Sequence, residues 1–301
     1  RHNFHPQASR LAYDRGSIYR PILGTRNKEL NRLQADLARL NQFMTEHKRI
    51  LVISGAGIST NSGIGDYRDQ NGEWKRVQPV KHQGFMASHE WRQRYWGRSQ
   101  LGYPSFLQAK PNAGHNALAQ LEARGSVFAL ITQNVDRLHQ RAGQQTVIDL
   151  HGRLDQVICT SCGQLEARGE IQKWLELHNP AVQEADFVPA PDGDADLEME
   201  FSQIQVPGCS LCDGILKPHV VFFGDSVPKP VVEQAYDWVQ QADAVLVVGS
   251  SLMVFSSYRF VRRAHELSIP IAAINNGVTR GDKLFDFKVA GDCSEILAHL
   301  L

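Results

Sequence analysis

The chain has 301 residues, of which 42% are apolar, so it is long enough to bury a core in one large domain or two smaller ones. Its 32 basic residues are balanced by 32 acidic residues, and a net charge of zero gives no electrostatic reason to expect a nucleic-acid partner. No apolar run approaches the roughly 18 residues that a membrane-spanning helix needs, so we expect no membrane association.

The N-terminal segment differs in composition from the rest of the chain. Through residue 32 it contains seven Lys or Arg and two acids, with scattered Pro and Gly. We interpret residues 1–29 as a basic N-terminal extension. The alternative, a remnant of an organelle transit segment, is disfavoured because Asp14 and Glu29 interrupt the acid-poor composition of such segments. Since the chain begins at Arg1 and not at methionine, we expect residues upstream of it.

An alternation of helices and strands begins near residue 30. One apolar stripe of an amphipathic helix is formed by residues spaced three and four apart: Leu30, Leu33, Leu37, Leu40 and Met44. Short apolar runs then predict buried strands at 50–54, 127–132, 219–223, 244–249 and 270–275, with helices at 114–125 and 231–242. This alternation predicts a parallel sheet covered by helices on both faces.

Two stretches interrupt the alternation. Residues 69–111 are rich in Gln, Trp, Arg and His, and predict an excursion of helices with a mobile loop. Residues 152–217 hold four cysteines and no sustained alternation, so we predict a small inserted domain there. Residues 30–151 and 218–301 would then form the main domain.

A glycine-rich segment, GAGISTNSGIGDYR at 55–68, follows the first predicted strand. Glycine lets the backbone approach a pyrophosphate, but this segment lacks the standard third glycine, and a tight turn without a ligand would look similar. Three other strand ends carry small or amide side chains: TQNVD at 132–136, GSS at 249–251 and INNG at 274–277. Because the ends of parallel strands meet at one edge of a sheet, these segments together predict a nucleotide site.

Four of the five cysteines form two C-x-x-C pairs that are separated by 46 residues. Each pair can direct two thiolates at one ion, and four thiolates complete a tetrahedral site with no open position. The pattern predicts one structural Zn²⁺ and a reducing compartment instead of a disulfide framework. The predicted ligands are Cys159, Cys162, Cys209 and Cys212.

An acidic segment lies between the two cysteine pairs. Residues 181–202 contain seven acids and no Lys or Arg. The stretch DGDADLEME does not fit a calcium-binding EF-hand, because Leu197 occupies the glycine position and Gln203 replaces the closing glutamate. We interpret the segment as a solvent-exposed loop.

A set of motifs occurs along the chain in a fixed order: GAGIS, GIGDYR, TQNVD, HG at 151–152, the two C-x-x-C pairs, VVFFGD, GSSL and INNG. This ordered set resembles the sirtuins, the family of NAD-dependent protein deacylases. The resemblance covers roughly residues 30 to 301. RQRYWGR, APDGD, QVPGC, KPHVVFFGDSV and VVGSSLMVFSSYRF are most similar to class II, which includes the mitochondrial lipoamidase and ADP-ribosyltransferase type and bacterial relatives. Gly65 departs from the family, which usually has proline there, and glycine loosens that loop.

The resemblance implies an α/β fold: a Rossmann-like parallel sheet with helices on both faces, plus a small zinc-ribbon domain. It implies that NAD and an acyl-lysine protein bind in the cleft between them, and that the products are nicotinamide, free lysine and O-acyl-ADP-ribose. Mono-ADP-ribosylation or lipoamidase activity at the same site is the alternative. A non-catalytic zinc-ribbon module is opposed by His151 and the NAD-binding motifs. The implied location is cytoplasmic, as in bacteria, or the mitochondrial matrix; the oligomeric state stays open, and a monomer is compatible.

The resemblance also assigns the site residues. His151 would be the base that activates a ribose hydroxyl, a task that suits the near-neutral pKa of imidazole, and Asn134 and Asp136 would act with it. The implied cofactor contacts are Gly55, Ala56, Gly57, Ser59, Asp66, Tyr67, Arg68, Gln133, Asn134, Val135, Asp136, Gly249, Ser250, Ser251, Asn275, Asn276, Gly277 and Cys293. The implied acyl-lysine contacts are Tyr95, Arg98, Val220, Phe222, Phe223 and Gly224.

Tyr95 and Arg98 are three residues apart and share a face if the segment is helical. Sirtuins that remove acidic acyl groups carry such a pair, in which the arginine binds the distal carboxylate. Arg98 is therefore a candidate reader of a carboxylate-tailed acyl group. The alternative is a surface arginine beside a packed ring, and the acidic segment opposes binding of a negatively charged substrate.

Overall fold

The computed structural model describes residues 20–67, 69, 71–75, 80–190, 193–197 and 199–301, with side chains from residue 31 onward. Most of the predicted extension at 1–29, and Arg68, lie outside the described residues. Within the described ranges, every helix is too short or too polar to cross a bilayer.

The helices of the described part are α1 Arg20–Glu46, α2 His82–Ala87, α3 His89–Gln108, α4 Ala113–Ala123, α5 Leu138–Arg141, α6 Arg168–His178, α7 Lys229–Gln241, α8 Phe255–Glu266 and α9 Cys293–Ala298. The strands are β1 Ile50–Ser54, β2 Val127–Thr132, β3 Val147–Asp149, β4 Gly152–Cys159, β5 Leu165–Ala167, β6 Val188–Pro189, β7 Ala195–Asp196, β8 Leu216–Val220, β9 Ala244–Val248, β10 Ile271–Ile274 and β11 Phe287–Val289. Short 3-10 turns lie at Ala56–Ile58, Thr60–Ser62 and Pro180–Glu184.

A six-stranded parallel sheet in the order β11–β10–β9–β1–β2–β3 forms the larger part of the fold. In the central strand, Val52 is in register with Leu130 of β2 on one side and with Leu246 of β9 on the other. From β1 the chain builds outward through β2 and β3, and later returns to add β9, β10 and β11 on the opposite side. In such doubly wound sheets a ligand crevice forms where the strand order reverses, outside the carboxyl ends of the strands.

Both faces of this sheet are covered, and every side chain of β1 and β9 is buried. Leu40 of α1 and Leu118 of α4 pack on one face, and Val239 of α7 and Phe260 of α8 pack on the other. The predicted α/β fold is therefore confirmed. The apolar stripe of α1 is buried only near its C-terminal end, since Leu33 is exposed.

A second sheet, antiparallel in the order β5–β4–β8, forms a smaller module with α6. Its core contains Val157 and Leu175, which cluster with Phe85 of α2 and Trp96 of α3.

The prediction of a strand at 219–223 in the parallel sheet is wrong. The strand is β8, which begins earlier, at Leu216, and pairs antiparallel with β4, so that Leu216 lies opposite Cys159.

The acidic segment between the cysteine pairs packs against α3 at residues 193–197, so the interpretation of a solvent-exposed loop is wrong there, whereas residues 183–184 and 186–189 are exposed as predicted. Asp194 is buried, and a Cβ placed on Gly102 would lie 2.1 Å from its carbonyl oxygen. An apolar cluster packs the buried parts of the segment against α3; it contains Leu101, Val182, Ala195 and Ile204, with Leu197, Met199 and Phe201 packed against it. The close approach at Gly102 requires glycine, because any side chain would displace the segment.

Candidate active site

A cleft of about 930 Å³ opens at the carboxyl ends of β1, β2 and β9, with walls contributed by both sheets. Most of the predicted contacts line it: Gly55, Ala56, Gly57, Ser59, Asp66, Tyr67, Tyr95, Gln133, Asn134, Val135, Asp136, His151, Val220, Phe222, Phe223, Gly224, Gly249, Ser250, Ser251, Asn275, Asn276 and Cys293. Gly277 is predicted as a contact but does not line the cleft; its carbonyl accepts a hydrogen bond from Lys288 Nζ at 3.0 Å.

Two glycine-bearing strand ends are packed against each other at the base of the cleft. The amide of Gly57 donates to the carbonyl of Gly249 at 2.8 Å. Gly249 has a φ of +58°, and a Cβ there would lie 2.5 Å from the amide nitrogen of Ile58. Only glycine fits, so the backbone of the segment after β1 stays uncovered, as binding of a phosphate group requires.

We expect Gly249→Ala to weaken NAD binding at least about tenfold, because the new methyl group must push the backbone at Ile58 away and adds about 1–3 kcal/mol of strain. Calorimetric titration with NAD measures the change in Kd. Gly125→Ala is the matched control: its φ is +80° but the space around it is open, so it should lower stability without changing the Kd. An unchanged Kd in Gly249→Ala would contradict the assigned role of this contact.

His151 lies between β3 and β4, with its ring held by two hydrogen bonds. Nδ1 is 3.1 Å from the carbonyl oxygen of Gln133, and Nε2 is 2.7 Å from Ser256 Oγ. Because a carbonyl can only accept, Nδ1 carries the proton and Nε2 keeps its lone pair. Burial lowers the pKa of His151 to about 4, so the ring is neutral at pH 7. Nε2 is thus a proton acceptor in the cleft.

The four predicted zinc ligands converge on one point in the small module, with all four sulfur atoms within 4.8 Å of one another. Cys159 Sγ is 3.6 Å from Cys212 Sγ, and Cys162 Sγ is 3.7 Å from Cys209 Sγ. A tetrahedron with Zn–S bonds of about 2.3 Å has sulfur–sulfur edges of about 3.8 Å, so the cluster fits a zinc ion.

The glycine segment, the histidine and the cysteine cluster fall within one family profile. The profile of the Sir2 family matches residues 55–256, from the first glycine of the segment to the serine that contacts His151. The chain belongs to the Sir2 family. The resemblance to the sirtuins is therefore confirmed, and the placement in class II stays a prediction.

This sirtuin is similar to relatives along most of its length. It is 56% identical over 262 residues to an NAD-dependent protein deacetylase of Xanthomonas campestris, covering 87% of this chain and 89% of that protein. It is 43% identical over 272 residues to the NAD-dependent protein deacylase Sirt4 of Drosophila melanogaster, covering 89% and 87%. A solved structure of Sir2 with a peptide and NAD⁺ has a TM-score of 0.70 at 30% identity, covering 86% of this chain and 94% of that chain. Sir2Tm bound to a propionylated peptide has the same TM-score and identity, covering 87% and 95%.

The amide side chains of Gln133 and Asn134 connect the loops around the cleft of the sirtuin. Gln133 Nε2 donates to Ser250 Oγ at 2.7 Å, and Gln133 Oε1 accepts from Ser257 Oγ at 2.8 Å. Asn134 Nδ2 donates to Ser59 Oγ at 3.0 Å. These bonds fix the ends of β1, β2 and β9 and the start of α8 relative to one another. Sequence reasoning selected both residues but did not predict this connecting role.

Asp136 is held below the glycine segment. Ser59 Oγ donates to Oδ2 at 2.7 Å, and the amide of Leu138 donates to Oδ1 at 2.9 Å. Burial raises the pKa of Asp136 above its usual value, and the two hydrogen bonds oppose this shift. Both oxygens are thereby occupied, so the carboxylate is placed to position Ser59.

An aromatic wall and an ion pair complete one side of the cleft. The rings of Tyr67, Trp74 and Phe223 meet edge to face, with centroids 5.5 to 6.3 Å apart. Lys75 Nζ forms an ion pair with Asp66. Trp74 and Lys75 line the cleft but were not predicted, because no local motif marks them. Other cleft residues that sequence reasoning missed include Phe106, Lys229, Phe255, Ser256 and Arg259.

Arg98 does not line the cleft, and the structure contradicts its interpretation as a reader of a substrate carboxylate. Its Nε lies 3.0 Å from both carboxylate oxygens of Asp194, and its Nη2 lies 2.9 Å from Asp196 Oδ1. The arginine side chain is only 13% exposed. The acidic segment therefore supplies the carboxylates itself, and Arg98 anchors that segment to α3. Tyr95 does line the cleft and contacts Phe222 at 5.4 Å between ring centroids.

We expect Arg98→Met to destabilise the protein by about 3–5 kcal/mol, because it leaves Asp194 buried without its cation. Thermal unfolding and limited proteolysis within residues 185–200 measure the effect. Arg153→Met, which breaks a more exposed pair with Asp155, should change stability by less than about 1 kcal/mol. In Arg98→Met, the kcat/KM values for acetyl and glutaryl peptides should fall by the same factor. A selective loss on glutaryl peptides would restore the carboxylate-reading role.

Proposed function

We propose that this sirtuin is an NAD-dependent protein-lysine deacylase that releases nicotinamide and forms O-acyl-ADP-ribose. The observation that carries the proposal is the geometry of His151, a neutral imidazole in the crevice at the strand-order reversal, whose Nε2 lone pair accepts a hydrogen bond from the Ser256 hydroxyl that a ribose hydroxyl would replace. A base at this position suits activation of a ribose hydroxyl. The relatives named as NAD-dependent deacetylases and deacylases support the same activity.

Different residues of the cleft would bind NAD and take part in catalysis. Bound NAD supplies the electrophilic ribose carbon that the acyl oxygen attacks. The backbone at Gly55 and Gly249 would receive the pyrophosphate, and Asn275 at the end of β10 would receive the adenosine ribose. His151 Nε2 would take the proton of a ribose hydroxyl.

The aromatic wall would protect the reacting carbon of NAD from water. Tyr67, Trp74 and Phe223 form this wall, and Val220 and Phe222 lie beside it. Excluding water favours transfer to the acyl group over hydrolysis of NAD. The four thiolates would hold zinc as a closed structural site in the module that supplies Val220 and Phe222.

Product analysis by mass spectrometry tests the function directly. Incubation with NAD and acetylated or propionylated peptides should yield nicotinamide, free-lysine peptide and O-acyl-ADP-ribose in equal amounts. ADP-ribosylated protein without deacylated peptide would refute the proposal and establish the transferase alternative.

We propose that the protein works in a reducing compartment, the cytoplasm or the mitochondrial matrix. The five cysteines are free thiols, and four of them are needed as metal ligands. Oxidation of either C-x-x-C pair would compete with zinc binding.

A further inference from the structure

Three arginines surround one exposed aromatic ring beside the cleft. Phe255, the first residue of α8, is 46% exposed. The guanidinium carbons of Arg259 and Arg262 each lie 5.5 Å from the centroid of its ring, and that of Arg280 lies 5.7 Å from it. We call these three arginines and Phe255 the arginine ring.

The positive charge of the arginine ring is only partly balanced within the protein. Arg262 pairs with Glu266 at 3.4 Å, and Arg263 shares the same carboxylate. Among the residues that the structure describes, no carboxylate lies within 4.0 Å of Arg259 or Arg280. The buried Nε of Arg259 also has no hydrogen-bond partner there. Like charges gathered around one ring repel each other, so a bound anion would relieve this arrangement.

The arginine ring adjoins the catalytic histidine at the mouth of the cleft. Phe255 is next in sequence to Ser256, whose Oγ lies 2.7 Å from His151 Nε2. Phe255 and Arg259 line the cleft, as does Lys229, whose side chain is 88% exposed to solvent. An acyl-lysine bound at His151 would extend to the backbone of its own protein through this mouth. An extended chain advances about 3.3–3.6 Å per residue, so the residues next to the acyl-lysine in the substrate would pass over the arginine ring.

We propose that the arginine ring binds the carboxylate of an aspartate or glutamate within about three residues of the acyl-lysine, so that this sirtuin prefers acidic segments of its protein substrates. The proposal rests on the deacylase function above. Phe255 offers apolar contact to the substrate backbone, and the guanidinium groups offer charge-assisted hydrogen bonds.

Paired acetyl-lysine peptides that differ only by Glu or Gln on either side of the lysine test this preference. We expect the wild-type kcat/KM to be about three- to tenfold higher for the Glu peptide than for the Gln peptide at ~0.05 M salt. This Glu-to-Gln ratio of kcat/KM should approach one at ~0.5 M salt, because salt screens an exposed charge contact. Arg262→Gln and Arg280→Gln should each lower the ratio, and the double variant should bring it near one. Arg263→Gln, on the same helix and sharing Glu266, should keep the wild-type ratio because it does not contact Phe255.

A charge reversal separates substrate binding from an effect on folding. Arg262→Glu should shift the preference toward a peptide with Lys in place of Glu, an outcome that a merely destabilised protein would not give. Equal wild-type efficiency on the Glu and Gln peptides would overturn the arginine-ring proposal alone. If Arg262→Gln and Arg280→Gln raise the KM for NAD equally with both peptides, the proposal is also overturned, since the arginine ring would then bind the dinucleotide and not the peptide. Failure of the wild type to deacylate either peptide would instead refute the deacylase function.

Discussion

Replacing His151 with alanine is expected to reduce the rate of deacylation at least about 100-fold while leaving NAD affinity and the fold largely unchanged. The ring has one nitrogen tied to the carbonyl of Gln133 and the other directed at Ser256 and the cleft. Because its pKa is about 4, it is already in the base form at neutral pH. Removing the imidazole deletes the side chain that is assigned as the base for the ribose hydroxyl.

Single-turnover kinetics on an acetyl peptide, with NAD titration in parallel, measure the two effects separately. His265→Ala is the matched control, since this histidine lies exposed in the last turn of α8 and should leave the rate unchanged. Ser256→Ala keeps the imidazole and should reduce the rate less than His151→Ala does. Near-normal turnover by His151→Ala would remove His151 from the mechanism.

Loss of zinc is expected to unfold the small module and abolish activity. The four sulfur atoms join the turn after β4 to the turn before β8, and the apolar cluster beside them is small. A structural zinc site contributes about 10–16 kcal/mol of binding free energy that becomes folding free energy. Since β8 carries Val220 into the cleft wall, unfolding of this sheet would also destroy the acyl-lysine site.

Metal analysis of the purified protein should find one zinc per chain, and Cys162→Ala should abolish it. Near-ultraviolet circular dichroism and activity should be lost together in Cys162→Ala and after chelation. Cys293→Ala is the control, because this buried thiol lies at the start of α9, away from the metal cluster, and should retain zinc. A zinc-free protein with full activity would show that the four thiolates serve another purpose.

Four of the six strands of the parallel sheet and the four zinc ligands could be read from the chain because their signals are local. The assignment of His151 came from the resemblance to the family and not from a local signal. A buried parallel strand is a continuous apolar run between turn residues, as at 50–54 and 244–248. A C-x-x-C pair places two ligands on one turn whatever the surrounding fold. The order of the motifs then connected these signals and predicted that most of the NAD contacts lie at one edge of the sheet, where these residues line the cleft.

The partners of Arg98 and of the arginine ring were decided only by the tertiary structure. Arg98 and Asp194 are 96 residues apart, and nothing in the sequence near Arg98 states whether its carboxylate belongs to the substrate or to the protein. Arg280 reaches Phe255 from the segment after β10, and the aromatic wall joins Trp74 to Phe223. A local pattern specifies which face a side chain occupies, whereas the choice of its partner depends on which distant segments fold against that face.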